Sequence, residues 1–104
     1  MPIKQAQDEV DKWIKEETSG YWQPLSIMAA ITEEAGELAK ELNDRFGGRI
    51  KKPTDETKDI GDELADIIFA LICLANSQKI NLDEAWSRKM DKCYGRDNDR
   101  YKEK

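Results

Sequence analysis

Apolar residues recur at helical spacing in four separated stretches of the chain, and no stretch alternates as a half-buried strand would. In the first, Ile3, Ala6, Val10, Trp13 and Ile14 share a face, which predicts a helix from about Ile3 to Glu17. Residues Thr18 to Gln23 then break the pattern. Met28, Ile31, Ala35, Leu38 and Leu42 step by three and four, predicting a second helix from about Pro24 to Arg45 with a packing stripe along it. Pro24 suits a first helical turn, and Gly47-Gly48 ends the helix. A third helix is expected from Thr54 or Asp55 to Gln78, striped by Ile60, Leu64, Ile67, Leu71 and Leu74. Its second half, Ile67 to Ala75, is apolar on every side, the pattern of a buried helix. The fourth opens at Asn81, a good N-cap, with Glu84 three residues later in a capping-box position. Leu82, Ala85, Trp86 and Met90 form its apolar face, and Trp13 and Trp86 read as core. Arg49 to Pro53 is a basic linker, and Asp91 to Lys104 a charged tail. The expectation is one all-α domain over residues 1–104, arranged like a four-helix bundle.

With 104 residues the chain can bury only a modest core, so self-association is expected. Acids outnumber bases 22 to 17, giving a net charge of −5. That balance argues against a dedicated nucleic-acid binder, which shows a basic stripe. It also opposes binding of an anionic substrate unless a cation intervenes. The absence of histidine removes His-based triads, the usual zinc sites and the Glu-x-x-His di-iron pattern. Cys73 and Cys93 lie far apart and form no metal-spaced pair. No signal peptide is visible at the amino terminus, and the longest apolar run is too short to span a bilayer. A soluble cytoplasmic protein with no membrane partner is the expectation.

The acids are not scattered. Glu34, Glu37 and Glu41 fall on one stripe of the second helix, which begins with Ile27 and Ala30. Asp59, Asp62, Glu63 and Asp66 do the same on the third, and their stripe continues as Ala70, Cys73 and Ser77. Like charges one turn apart destabilise a helix, and partial burial raises the cost. A divalent cation offsets both effects. Carboxylate oxygens without nitrogen or sulfur select a hard ion, Mg²⁺ first, with Mn²⁺ or Ca²⁺ behind it. Each motif taken singly reads first as a solvated acidic face. Their pairing beside apolar stripes favours the metal.

Glu33-Glu34-x-x-Glu37 followed by Glu63-x-x-Asp66 resembles the signature of the MazG-type all-α nucleoside triphosphate pyrophosphohydrolases. The likeness extends over nearly the whole chain, from Tyr21-Trp22-x-Pro24-Leu25 through Gly61-Asp62-Glu63-Leu64-Ala65-Asp66 to Arg96-Asp97-Asn98-Asp99-Arg100-Tyr101. It is similar above all to the short, single-domain bacterial members. The resemblance implies that Glu34, Glu37, Glu63 and Asp66 hold Mg²⁺, with Mn²⁺ as a substitute, on a nucleoside triphosphate. It implies that Glu33 orients or deprotonates the attacking water, giving NMP and pyrophosphate by attack at the α-phosphorus. It further implies a homodimer or homotetramer with active sites near subunit contacts. Lys89 and Lys92 are candidate phosphate contacts, with a solvated helix lysine as the competing reading of each. Where family members often carry an asparagine this chain has Cys93 and Tyr94, and Arg96 or Arg100 is the candidate replacement. Trp22 is a candidate for base stacking or for the core. Ordinary, pyrimidine-only and damaged nucleotides all stay open as substrates, with nucleotide-pool sanitising among the roles. A non-catalytic helical interaction module, or a regulator that binds metal and nucleotide without turnover, is the alternative.

Overall fold

A computed structural model describes residues 3–47 and 59–95. Four helices account for most of them: α1 (Ile3–Glu17), α2 (Pro24–Phe46), α3 (Ile60–Ser77) and α4 (Leu82–Tyr94). No strand occurs among the described residues. Three helix starts and stops follow from the sequence. Pro24 opens α2 behind an extended Gln23, where its missing N–H costs no helical bond. Gly47 closes α2, its N–H reaching the Asn43 carbonyl at 2.9 Å. Asn81 caps α4, its Oδ1 accepting from the Asp83 N–H at 2.9 Å and the Glu84 N–H at 3.4 Å. The loop from α1 to α2 turns at Gly20, whose φ of 122° lies where L side chains rarely sit.

α3 begins at Ile60 rather than at Thr54 or Asp55. Asp59 is extended and caps the helix, accepting from the Asp62 N–H at 3.2 Å. At the other end, Lys79 adopts the left-handed region at φ 57°. The Lys79 N–H then reaches the Asn76 carbonyl and the Ile80 N–H the Ala75 carbonyl, which closes a Schellman turn without a glycine. α4 continues through Asp91 to Tyr94, so those four residues belong to the helix and not to a tail. The basic linker 49–53 and the candidates Arg96 and Arg100 lie outside the described residues.

α2 packs chiefly on α3, α1 lies against α3, and α4 against α1. Ile14, Ile27, Ile31, Ala70 and Cys73 form the core, with Val10, Tyr21 and Leu74 packed on it. Ile31 and Leu74 bear out their expected stripes, and other members correct them. On α2, Met28, Ala35 and Leu42 are exposed, and the buried line is Ile27, Ile31 and Glu41. On α3, Leu64 and Leu71 are exposed, and the buried line includes Glu63, Ala70 and Cys73. The helices thus meet along the very stripes that carry the acids. α3 is not covered on every side within one chain, since Ile68 stays 55% exposed. Trp13 and Trp86 are likewise exposed rather than core. A chain of this size has too few residues to cover every apolar face it presents. Among the described residues, no helix is long and apolar enough to cross a membrane.

Candidate metal centre and adjoining aromatic cavity

Ile27 and Ile31 seat the first half of α2 on α3, and this fixes the rotation of the turns that follow. Glu34 and Glu37 come next along the same side and are half-buried. On α3, Ala70 and Cys73 fix the facing side, and Glu63 lies nearly two turns before Ala70, only 4% exposed. One carboxylate oxygen each from Glu34, Glu37 and Glu63 falls within 4.8 Å of the others. Glu41, one turn beyond Glu37, is also buried and accepts from Arg45 Nε at 3.2 Å, an ion pair within α2.

Asp66 is exposed and is not among the three converging acids, yet it borders the same site beside Glu34. The Glu34 carboxyl is pushed above the ordinary carboxylate range, first by lost hydration and then by the charges of Asp66, Glu37, Glu63 and Glu33, in that order. A concentration of negative charge that raises a proton's affinity does the same for a divalent cation. All the donors are hard oxygens, which fits Mg²⁺ and its neighbours and not the softer transition metals. Glu33 is exposed, and of the four charges acting on Glu34 it acts least.

Beside the acids lies a cavity of about 410 Å³. Glu34 and Asp66 border it together with the rings of Trp13, Tyr21, Trp22 and Phe69. Trp13 and Phe69 meet edge to face, their centroids 6.0 Å apart. Trp22, at 66% exposure, is a wall of this cavity and not a core residue. Sequence reasoning missed Trp13, Tyr21 and Phe69 as cavity walls. Lys89 and Lys92 are exposed on α4, and neither borders the cavity.

The fold is all-α, and its central helix pair gathers carboxylates next to an aromatic cavity. The chain belongs to the MazG family: the pattern of the MazG nucleotide pyrophosphohydrolase domain matches residues 22–101. Among relatives, the uncharacterised protein YpjD of Bacillus subtilis (strain 168) is 47% identical over 102 residues, covering 98% of this chain and 92% of YpjD. The crystal structure of Bacillus subtilis YpjD superposes with a TM-score of 0.76 at 48% identity, over 86% of this chain and 92% of that one. A Bacillus-conserved MazG protein, described as a nucleotide pyrophosphohydrolase, superposes with a TM-score of 0.71 at 41% identity, over 86% of each chain.

Proposed function

We propose that this pyrophosphohydrolase is Mg²⁺-dependent and converts nucleoside or deoxynucleoside triphosphates to the monophosphate and pyrophosphate by attack of water at the α-phosphorus. The observation that carries the reading is the convergence of Glu34, Glu37 and Glu63 from two helices, with Asp66 beside them. These four acids are the residues that would hold Mg²⁺, with Mn²⁺ able to replace it. When bound, the ion neutralises the triphosphate, polarises its phosphoryl oxygens and acidifies water.

The remaining roles fall to the chain's own groups. Glu33, exposed beside Glu34, orients the water and takes its proton on a carboxylate oxygen. Trp22 and its neighbouring rings hold the base next to the acids. Lys89, Lys92 and Arg96 contact phosphates. The exposed apolar residues Ile68, Leu64 and Leu71 support assembly as a homodimer or homotetramer, and a cytoplasmic setting supplies the substrates. The reaction fits nucleotide-pool sanitising.

Incubation with a panel of triphosphates and Mg²⁺ in heavy-oxygen water tests the reading. Monophosphate carrying the heavy oxygen, together with unlabelled pyrophosphate, is expected. Diphosphate plus orthophosphate would overturn attack at the α-phosphorus.

A further inference from the structure

Residues 18–23 join α1 to α2 and carry two rings of the cavity, Tyr21 and Trp22. Trp22 is 66% exposed, so packing holds it weakly and its place depends on how the main chain beside it is held. On the α2 side the Ile27 N–H reaches the Gln23 carbonyl at 3.0 Å. At the start of the loop, Thr18 Oγ1 donates to the Ile14 carbonyl at 2.6 Å and accepts from the Gly20 N–H at 3.1 Å. Between these ties, the Tyr21 hydroxyl makes the loop's hydrogen bond to α3 among the described residues, and its partner there is Asn76.

The sense of that bond is set from the far side. Gln7 is 3% exposed. Its amide nitrogen donates to the Ile80 carbonyl at 2.7 Å, and its amide oxygen accepts from the Leu82 N–H at 2.8 Å. A main-chain carbonyl only accepts and a main-chain N–H only donates, so the Gln7 amide cannot turn over. Gln7 Nε2 therefore donates to Asn76 Oδ1, at 2.9 Å. This leaves Asn76 Nδ2 as a donor, to the Gln7 carbonyl at 3.0 Å and to the Tyr21 hydroxyl at 2.9 Å. The hydroxyl accepts there, and its one proton goes to Asp11 Oδ1 at 2.7 Å, a charged acceptor. Tyr21 is thus held from α3 on one side and from α1 on the other.

Asn76 lies ten residues beyond Asp66, about 15 Å along the helix. It does not border the cavity, and neither do Gln7 and Asp11. We infer that Asn76 is a positioning residue: through the Tyr21 hydroxyl it fixes the loop 18–23, and so holds Tyr21 and Trp22 in place across the cavity from Glu34 and Asp66. The inference rests on the nucleotide reading above and adds to it a residue that touches neither nucleotide nor metal. A wall already held in its binding geometry loses less freedom when a ligand arrives. Releasing it should therefore weaken binding and leave the chemistry at the acids unchanged.

Two measurements on the intact protein test this: steady-state kinetics in Mg²⁺ with a triphosphate that the wild type turns over, and fluorine NMR of the ligand-free protein labelled with 5-fluorotryptophan. The chain has 3 tryptophans, and Trp22→Phe assigns the resonance of Trp22. Tyr21→Phe, which removes only the hydroxyl, and Asn76→Ala should each raise KM roughly fivefold, the scale of one net hydrogen bond. Both should leave kcat within about twofold, as expected for an interaction made equally in the ground and transition states. The double variant should show no larger KM than either single one, because both act through one hydroxyl. In the ligand-free spectra both should move the Trp22 resonance toward its position in denatured protein. A lowered melting temperature with KM and the Trp22 resonance unchanged would overturn the inference and leave Asn76 a structural tie. Single effects on KM that multiply in the double variant would overturn it too, since Asn76 would then act by another route. Should Asn76→Ala not fold, Tyr21→Phe decides by the same KM and resonance readouts. A wild type that turns over no triphosphate would remove the hydrolase reading, and the Trp22 resonance would then decide the positioning role alone.

Discussion

Glu34 on α2 and Glu63 on α3 bring carboxylate oxygens to within 4.8 Å of each other, and Glu37 reaches the same point. Glu63 is buried and Glu34 half-buried, so water screens their repulsion less than it would at an open surface. Nothing in helix formation calls for this arrangement. The apolar contacts of Ile27, Ile31, Ala70 and Cys73 hold the helices together at the rotation that produces it. The core contacts thus hold three acids close together where a divalent cation could join them.

Lost hydration and the neighbouring negative charges push the Glu34 carboxyl up, so the metal-free protein should become more stable when Glu34 is neutralised. Glu34→Gln should raise the stability of the protein in chelator by about 0.5–2 kcal/mol, the range typical when a functional residue is replaced by one better suited to the fold. Denaturant titration of wild type and variant gives the value. A loss of stability would mean that Glu34 makes attractive contacts that outweigh the repulsion.

Glu33 should separate from its neighbours in kinetics. As the group handling water, its loss in Glu33→Gln should lower kcat by roughly 10²–10⁴ and leave Mg²⁺-nucleotide binding nearly normal. Loss of metal affinity equal to that of Glu37→Gln would make Glu33 a metal ligand instead.

Tyr21 gives a prediction about pH. Burial first, and then its bond to Asp11, push its phenol from the ordinary 10.0 up to about 12. A folded-state value above the unfolded one stabilises the fold below pH 10, and that contribution is lost as pH rises through about 12. Wild type should therefore lose stability more steeply than Tyr21→Phe between those limits. Equal slopes in alkaline denaturation series would show that the phenol is not held in this way.

Much of this architecture was legible in the chain. The extents of α1 and α2 followed from apolar spacing, and the start of α4 from Asn81 as a cap. Periodicity shows which faces are apolar but not which of them becomes covered. On α2 and α3 two stripes competed, and the one carrying acids was buried, because Ile27, Ile31, Ala70 and Cys73 form the core while Met28 and Leu71 stay exposed. The carboxylate pairing was legible because both motifs lie next to that line. The Gln7–Asn76–Tyr21 link was not, since its members meet only in three dimensions. Gln7 did leave a trace, as a polar residue interrupting the line of Ile3, Val10 and Ile14. A buried amide needs partners, and these lay at the far end of α3.

The exposed faces carry a prediction of their own. Ile68 and Leu64 on α3 and Met28 on α2 are about half exposed in the single chain. Light scattering at micromolar concentration should give the mass of a dimer or tetramer. Ile68→Glu should shift the protein toward monomer, because a charge then has to be buried at the contact. A wild-type monomer mass would contradict homo-oligomerisation.

The central claim is that Glu34, Glu37, Glu63 and Asp66 form one Mg²⁺ centre, and thermal melts with and without Mg²⁺ at constant ionic strength test it most directly. An ion that binds the folded state stabilises it by mass action. Wild type should therefore gain melting temperature with Mg²⁺, whereas Glu37→Gln and Asp66→Asn should gain much less. Identical Mg²⁺ shifts in all three proteins would contradict the claim, because a solvated acidic face responds weakly and alike in every variant.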